Sequence, residues 1–267
     1  MTDFTEAARS LDGLLSRVLH CPMDTVPKLD ARPKILLASA PKSGSTWLTM
    51  LLSENFELPA VRGYLEGGHN EQEIDFIQFS KQMGNSCLFV QQHIRASDPT
   101  IRICLAFNTK IVVQTRNLCD TLVSFHDHIL NESDIASMFF VKTEWFSEFT
   151  HEKRFDFLIE HCLPWYINFL TGWLSARNRY PCEILFVRYE DLINDVGGVI
   201  SRISRFSGLG QGVDATKYRQ VTGNLRLNEG RSGRGSEMLT PNQLTRIERL
   251  LSYYPNDLGY AEFAFAR

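Results

Sequence analysis

Residues 39–47 read S-A-P-K-S-G-S-T-W and follow the apolar run Ile35-Leu36-Leu37-Ala38. A strand that breaks into a short loop and then a helix points backbone N–H groups at one spot, and that spot attracts an anion. Gly44 would let the backbone approach a ligand closely, and Ser45 and Thr46 add hydroxyl donors. The spacing is not that of the nucleoside-triphosphate loop G-x-x-x-x-G-K-S/T. The first glycine is missing, and the lysine stands at Lys42, before Gly44 instead of after it. Lys42 therefore sits within the turn, where it can reach a group beyond a cradled phosphate. The plain alternative is a strand-to-helix turn with an incidental glycine.

Three other sets of residues could share that chemistry. Arg116 ends a strand in T-R-N-L-C-D-T-L-V-S-F, and Ser124 lies eight residues on, in the next helix. An arginine fork and a hydroxyl make a second phosphate site, at the strand ends where doubly wound sheets bind ligands. His93 follows a strand end in C-L-F-V-Q-Q-H and could take a proton from an attacking hydroxyl. Glycines 223, 230, 233 and 235 interleave with arginines 226, 231 and 234, a composition suited to a loop closing over phosphate. Taken singly, each set also reads as ordinary structure: a strand-end ion pair, a structural histidine, a solvated turn.

The elements needed to position these groups are visible in the pattern. Helical spacing runs over 3–20, and strands are expected at 34–39, 87–91, 110–115 and 183–187. Helices are expected at 45–55, 118–130, 155–177 (kinked at Pro164), 190–207 and 214–222, with a last one starting at Thr240-Pro241. Residues 57–85 read as a long irregular loop, and 132–152 carry no clear pattern. Strand–helix alternation predicts an α/β fold: a single domain over 1–267, with a central parallel sheet flanked by helices and a P-loop-like anion loop. Residues 1–33 would form the N-terminal helix and lead-in, and 223–239 the Gly/Arg-rich closing loop.

Composition narrows the partners. A net charge of −3 gives no global field for nucleic acid, so any anion site is local. The six cysteines, at 21, 87, 104, 119, 162 and 182, lack metal-ligand spacing and read as reduced, buried thiols. The N-terminus lacks the pattern of a signal peptide, and no apolar run is long enough to span a bilayer. A cytoplasmic protein without a membrane span is expected.

The motifs together resemble those of sulfotransferases that use 3′-phosphoadenosine 5′-phosphosulfate (PAPS). P-K-S-G-S-T-W at 41–47 resembles their 5′-phosphosulfate loop, and V-V-Q-T-R-N-L-C-D-T-L-V-S-F at 112–125 resembles their 3′-phosphate motif. R-Y-E-D-L at 188–192 and N-x-G-x-x-G at 228–233 resemble two further blocks. Asp257-Leu258-Gly259-Tyr260 is similar to the closing block of bacterial members, so the resemblance spans roughly 34–260. It implies PAPS as co-substrate, the desulfated nucleotide PAP as product, and no metal. It further implies that Lys42, Ser43, Gly44, Ser45 and Thr46 cradle the 5′-phosphate, with Lys42 assisting the leaving group. Trp47 and Tyr189 would lie near the adenine, and Arg116 and Ser124 would hold the 3′-phosphate. Gly230, Arg231, Ser232 and Gly233 would close over the donor, and His93 would be the base for in-line attack on sulfur.

The sequence also departs from the pattern. Gln91 stands where many animal members have lysine, and Asn228-Glu229-Gly230 stands where their loop reads R-K-G. Arg231 or Arg234 is expected to make up the charge, and Glu66 is the alternative base. Two other readings stay open: a P-loop nucleotide kinase, which would need Mg²⁺, and a PAP-binding protein without turnover. The acceptor is expected to be a small molecule with a hydroxyl or amine. The aromatics Phe76, Phe79, Phe139, Phe140, Trp145, Phe146 and Phe149 could line an apolar pocket for it, with 139–149 as a lid. The dimerisation signature K-x-x-x-T-V-x-x-x-E is absent near the C-terminus, which leaves the oligomeric state open.

Overall fold

The computed structural model describes residues 2–64, 73–132, 135–136, 141–181, 183–210 and 232–264. Five strands form one sheet: β1 (Lys34–Ser39), β2 (Ala60–Arg62), β3 (Leu88–Gln92), β4 (Thr109–Thr115) and β7 (Ile184–Arg188). Their order is β2-β3-β1-β4-β7, and every pairing is parallel. All carboxyl ends therefore lie along one edge. The chain moves to one side of β1 for β2 and β3, then crosses to the other side for β4 and β7. That reversal makes β1 the switch point, where open α/β sheets leave a crevice. Between Leu36 and Ala38 the register against β3 shifts, from Leu36↔Phe89 to Ala38↔Gln92. An irregularity of this kind re-aims the chain that follows, here toward His93.

Both faces of the sheet are covered, which is why β1 is buried along its whole length. Ile35 and Leu37 pack with Val112 and Val187 against α2 (Ser45–Phe56) and α10 (Val196–Ser207). Leu36 and Ala38 pack with Phe89 and Val113 on the other face, in a core shared with α4 (Asp98–Ala106), α5 (Leu118–Asn131) and α8 (Leu163–Arg179). The N-terminal helix α1 (Thr2–His20) adds Val18 to this second core. Among the described residues no helix is long and apolar enough to cross a membrane.

Several expectations change. The region 57–85 is not a plain loop: it contains β2 and the short helix α3 (Phe76–Ser80), capped by Asp75, whose carboxylate accepts from the N–H groups of Ile77 and Gln78. Helix α4 was not anticipated, although Ser97 caps it and a proline stands in its first turn. Residues 135–136 and 141–142 pair as a short antiparallel ladder, β5 and β6, and α6 (Thr143–Glu148) follows. The long helix expected over 155–177 is α7 (His151–Phe157), a π-helical turn Leu158–Cys162, and α8. Pro164 lies in the first turn of α8, and the ladder widens just before it because proline cannot donate backward. Strand β7 is followed by α9 (Tyr189–Asn194) before α10, so 190–207 holds two helices. After α11 (Arg234–Met238), helix α12 (Pro241–Leu251) begins with a full capping box between Thr240 and Gln243. The helix expected at 214–222 lies outside the described residues.

Candidate active site

Four neighbouring strands each deliver candidate residues at the same edge: the loop 40–44 after β1, His93 after β3, Arg116 after β4 and Tyr189 after β7. The loop turns sharply. Lys42 has φ 61° and Gly44 has φ 86°, both in the left-handed region. Gly44 is required there for a second reason: a Cβ would sit 2.6 Å from Cδ2 of Tyr189. Ser43 is buried and donates its hydroxyl to the Ala40 carbonyl at 2.6 Å, which ties the turn to itself. The first backbone bond of α2 runs from the Leu48 N–H to the Gly44 carbonyl. The N–H groups of Ser45, Thr46 and Trp47 precede it and lie at the positive end of the helix dipole. Their N-cap is Gly44, which has no side chain to cap them. Ser45 is half-buried, and Thr46 is exposed.

Arg116 binds this loop together. Its guanidinium donates to the Lys42 carbonyl at 3.2 Å and lies over the Tyr189 ring at 4.3 Å. Burial raises the Tyr189 hydroxyl pKa, against the opposing pull of Arg116. Trp47 meets the same tyrosine edge-on, with centroids 6.2 Å apart. Among the described residues the buried indole Nε1 of Trp47 has no hydrogen-bond partner, which leaves a donor for a ligand or water. Ser124 is buried on α5, about two turns from its start.

His93 is half-buried, and its Nδ1 lies 2.7 Å from the Ser39 carbonyl oxygen. A carbonyl only accepts, so Nδ1 carries the hydrogen and Nε2 keeps the lone pair a base needs. Of the closing loop, Gly230 and Arg231 lie outside the described residues, as does Glu66. Ser232 and Gly233 are exposed. Arg234 is buried and paired with Asp127 of α5 at 2.8 Å, so its charge is directed at that helix.

Sequence reasoning missed several residues of this region. Asp120 is buried and accepts from the N–H groups of Gly233 and Gly235, both at 2.7 Å, so it fastens the end of the loop to α5. Glu190 is buried and accepts from the Asn117 N–H at 2.9 Å, and burial raises its carboxyl pKa. Asn117 in turn caps α5 through Cys119 and Asp120. Glu132 reaches Lys42 from the far end of α5. Asp120 and Glu190 lie inside quoted motifs, so their positions were visible while their partners were not.

The aromatic set divides. Phe79 is fully buried and stacks on Phe89 at 3.8 Å, and Phe76 is buried beside Phe107, so these two belong to the core and not to a pocket wall. Phe146 is also fully buried, while Trp145 and Phe149 remain half-buried and pack with Phe157. Phe139 and Phe140 lie outside the described residues. The expected thiols at 87, 104, 119 and 162 are free and buried, and burial pushes Cys87 up to about 11 and Cys119 up to about 12. Cys182 lies outside the described residues.

Known proteins share sequence and fold with this chain. A flavonol 4′-sulfotransferase of Flaveria chlorifolia is 28% identical over 187 residues, covering 67% of this chain and 56% of that protein. Cytosolic sulfotransferase 1 of Danio rerio is 28% identical over 204 residues, covering 71% of this chain and 64% of that protein. The chain thus spans less than two thirds of the length of these relatives. The crystal structure of mouse sulfotransferase SULT7A1 complexed with PAP superposes with a TM-score of 0.59 at 17% identity, covering 90% of this chain and 88% of that one, which shows a shared fold. The family model described as a sulfotransferase domain matches residues 32–234, and with that match over most of its length the chain belongs to the sulfotransferase domain family.

Proposed function

We propose that the protein transfers the sulfuryl group of PAPS to a hydroxyl or amine of a small-molecule acceptor. The observation that carries this reading is the convergence of the Lys42–Gly44 loop, His93, Arg116 and Tyr189 at the carboxyl ends of four adjacent parallel strands. The N–H groups at the start of α2, whose N-cap Gly44 has no side chain, and the buried Trp47 indole donor fit a nucleotide phosphate and its base. PAPS supplies an activated sulfuryl group whose departure leaves charge on a phosphate oxygen.

The chain's residues divide the work. Lys42, Ser43, Gly44, Ser45 and Thr46 hold the 5′-phosphate. With PAPS bound, the Lys42 ammonium would face the oxygen that gains charge and so stabilise the transition state more than the ground state. Arg116 and Ser124 hold the 3′-phosphate, with Gly230, Arg231, Ser232 and Gly233 closing over the nucleotide. The Nε2 lone pair of His93 takes the acceptor's proton as that oxygen or nitrogen attacks sulfur. The acceptor has an apolar or aromatic body, in keeping with the half-buried Trp145 and Phe149 and with the flavonol named for the Flaveria relative. A cytoplasmic setting fits the free thiols and the zebrafish relative's name.

Calorimetric titration of PAP into the wild type and Lys42→Ala, with and without Mg²⁺ and with ATP as control, tests the reading. Metal-independent PAP binding that weakens in Lys42→Ala is expected, followed by turnover in a screen of acceptors with labelled PAPS. Absence of PAP binding, or Mg²⁺-dependent ATP binding in its place, overturns it and restores the kinase.

A further inference from the structure

The Lys42 ammonium is already held by a carboxylate that no sequence motif indicated. Its Nζ lies 3.1 Å from Oε2 of Glu132, and the same oxygen accepts from Nδ1 of His128 at 2.7 Å. Glu132 directly follows α5, and its N–H donates to the His128 carbonyl at 3.0 Å. His128 and Glu132 therefore hold each other twice across the last turn of α5. At the other end of that helix, Arg116 donates to the Lys42 carbonyl at 3.2 Å. One structural piece grips both ends of Lys42, the carbonyl from before α5 and the ammonium from after it. Burial pushes the Glu132 carboxyl up, but the bonds from His128 and Lys42 outweigh it and hold its pKa below the ordinary value.

An ammonium bound to Glu132 and an ammonium bound to a phosphosulfate are alternative states of one side chain. The pair is half open to water, with side-chain exposures of 22% for Lys42 and 45% for Glu132, so exchanging one partner for the other costs little. On the reading that this site takes PAPS, we propose that Glu132 is a positioning residue that competes with the nucleotide for Lys42. It parks the ammonium at the end of α5 in the nucleotide-free protein, yields it when the donor's phosphosulfate enters, and takes it back as PAP leaves. His128 orients the carboxylate for that role. The competition lowers nucleotide affinity and hastens product release.

A thermodynamic cycle reads the competition. PAP affinity is measured for wild type, Glu132→Gln, Lys42→Met and the double variant. Glu132→Gln is expected to bind PAP roughly two- to fivefold tighter than wild type, the factor set by an exposed ion pair. In the Lys42→Met background the same change is expected to have no effect. Unchanged or weaker binding in Glu132→Gln, or equal tightening in both backgrounds, overturns the proposal. A second measurement needs no nucleotide: the rate at which an amine-specific reagent modifies Lys42, followed by mass spectrometry. Glu132 shields the parked amine from the reagent, so Glu132→Gln is expected to label faster. Equal labelling overturns the parked state even where PAP binds. Faster labelling in a protein that does not bind PAP sinks the donor reading, and the competition with it.

Discussion

The Nδ1 of His93 lies 2.7 Å from the carbonyl oxygen of Ser39, the last residue of β1. The bond joins the end of one strand to the residue that follows its neighbour. It fixes the ring against the strand that launches the anion loop, and it determines the tautomer, because a carbonyl can only accept. His93 and the loop 40–44 are thus referred to the same rigid strand.

Loss of the proposed base should separate chemistry from binding. His93→Ala is expected to lower kcat by about 10²–10⁴-fold while PAP affinity stays near that of the wild type. His93→Asn keeps a donor for the Ser39 carbonyl but offers no basic nitrogen, so it is expected to be equally inactive. Steady-state rates with a labelled donor, beside PAP titrations, check both. Activity retained in His93→Asn would move the proton transfer elsewhere.

Gly44 should tolerate no side chain. Its φ of 86° costs an L-residue about 1–2 kcal/mol, and its Cβ would meet the Tyr189 ring at 2.6 Å. That ring lies under Arg116, so it cannot yield without disturbing the cation above it. Gly44→Ala is expected to lose stability and to bind PAP at least about tenfold more weakly. Adding Tyr189→Ala removes the collision but not the backbone strain. The double variant should therefore recover part of the stability that Gly44→Ala loses, and thermal denaturation of the three variants reads this directly.

Asp120 should govern the chain at 233–235. It accepts from the N–H groups of Gly233 and Gly235, and the approach is so close that a Cβ on Gly235 would lie 2.3 Å from Cβ of Cys119. Asp120→Asn replaces one acceptor by a donor and removes the charge, a local loss of about 2 kcal/mol. Amide hydrogen exchange at 233–235 is expected to speed up in Asp120→Asn and in Gly235→Ala. PAP binding is expected to weaken in both. The double variant should lose little more than either single one, since both changes break the same contact. Unchanged exchange in both single variants would detach the loop from α5.

What could be read in advance was local. The apolar run of β1, the glycine and the hydroxyl pair announced a strand, a loop and a helix, and the bounds of β1 agree with its pattern. Thr240-Pro241 announced α12 because capping chemistry is written in neighbouring residues. Edge strand β2 escaped because it is only three residues long, with Ala60 and Arg62 exposed and Val61 half-buried, too short for an alternation to be read. Phe76 and Phe79 sit in a polar, glycine-rich stretch that resembled a loop, and only the packed structure returns them to the core. The partners of Lys42 and Asp120 escaped for another reason. Glu132 lies 90 residues from Lys42, and Gly233 and Gly235 lie 113 and 115 residues from Asp120, distances over which no periodicity operates.

The buried pair Lys34–Asp30 should show its worth in acid. Lys34 is fully buried at the start of β1, with Nζ 2.6 Å from Oδ2 of Asp30 and 3.1 Å from the Arg32 carbonyl. Asp30 also accepts from the N–H groups of Arg32 and Gly84, at 2.9 and 2.8 Å. Burial pushes the Asp30 carboxyl up, but these bonds prevail and its pKa lies below the ordinary 3.8. A depressed carboxylate contributes stability that is present above its unfolded value and is lost as pH falls through the folded one. Asp30→Asn leaves the buried ammonium without its counter-charge, so it is expected to cost about 3 kcal/mol at pH 7. As pH falls below the unfolded value of about 3.9 and on through the lower folded one, this contribution is lost, and the gap between the two proteins should shrink. Urea unfolding at pH 7 and near pH 3 measures it. The pair lies at the end of β1 away from the anion loop, so the folded variant should bind PAP as the wild type does. A gap of equal size at both pH values would show that Asp30 acts through shape and hydrogen bonding, and not through its charge.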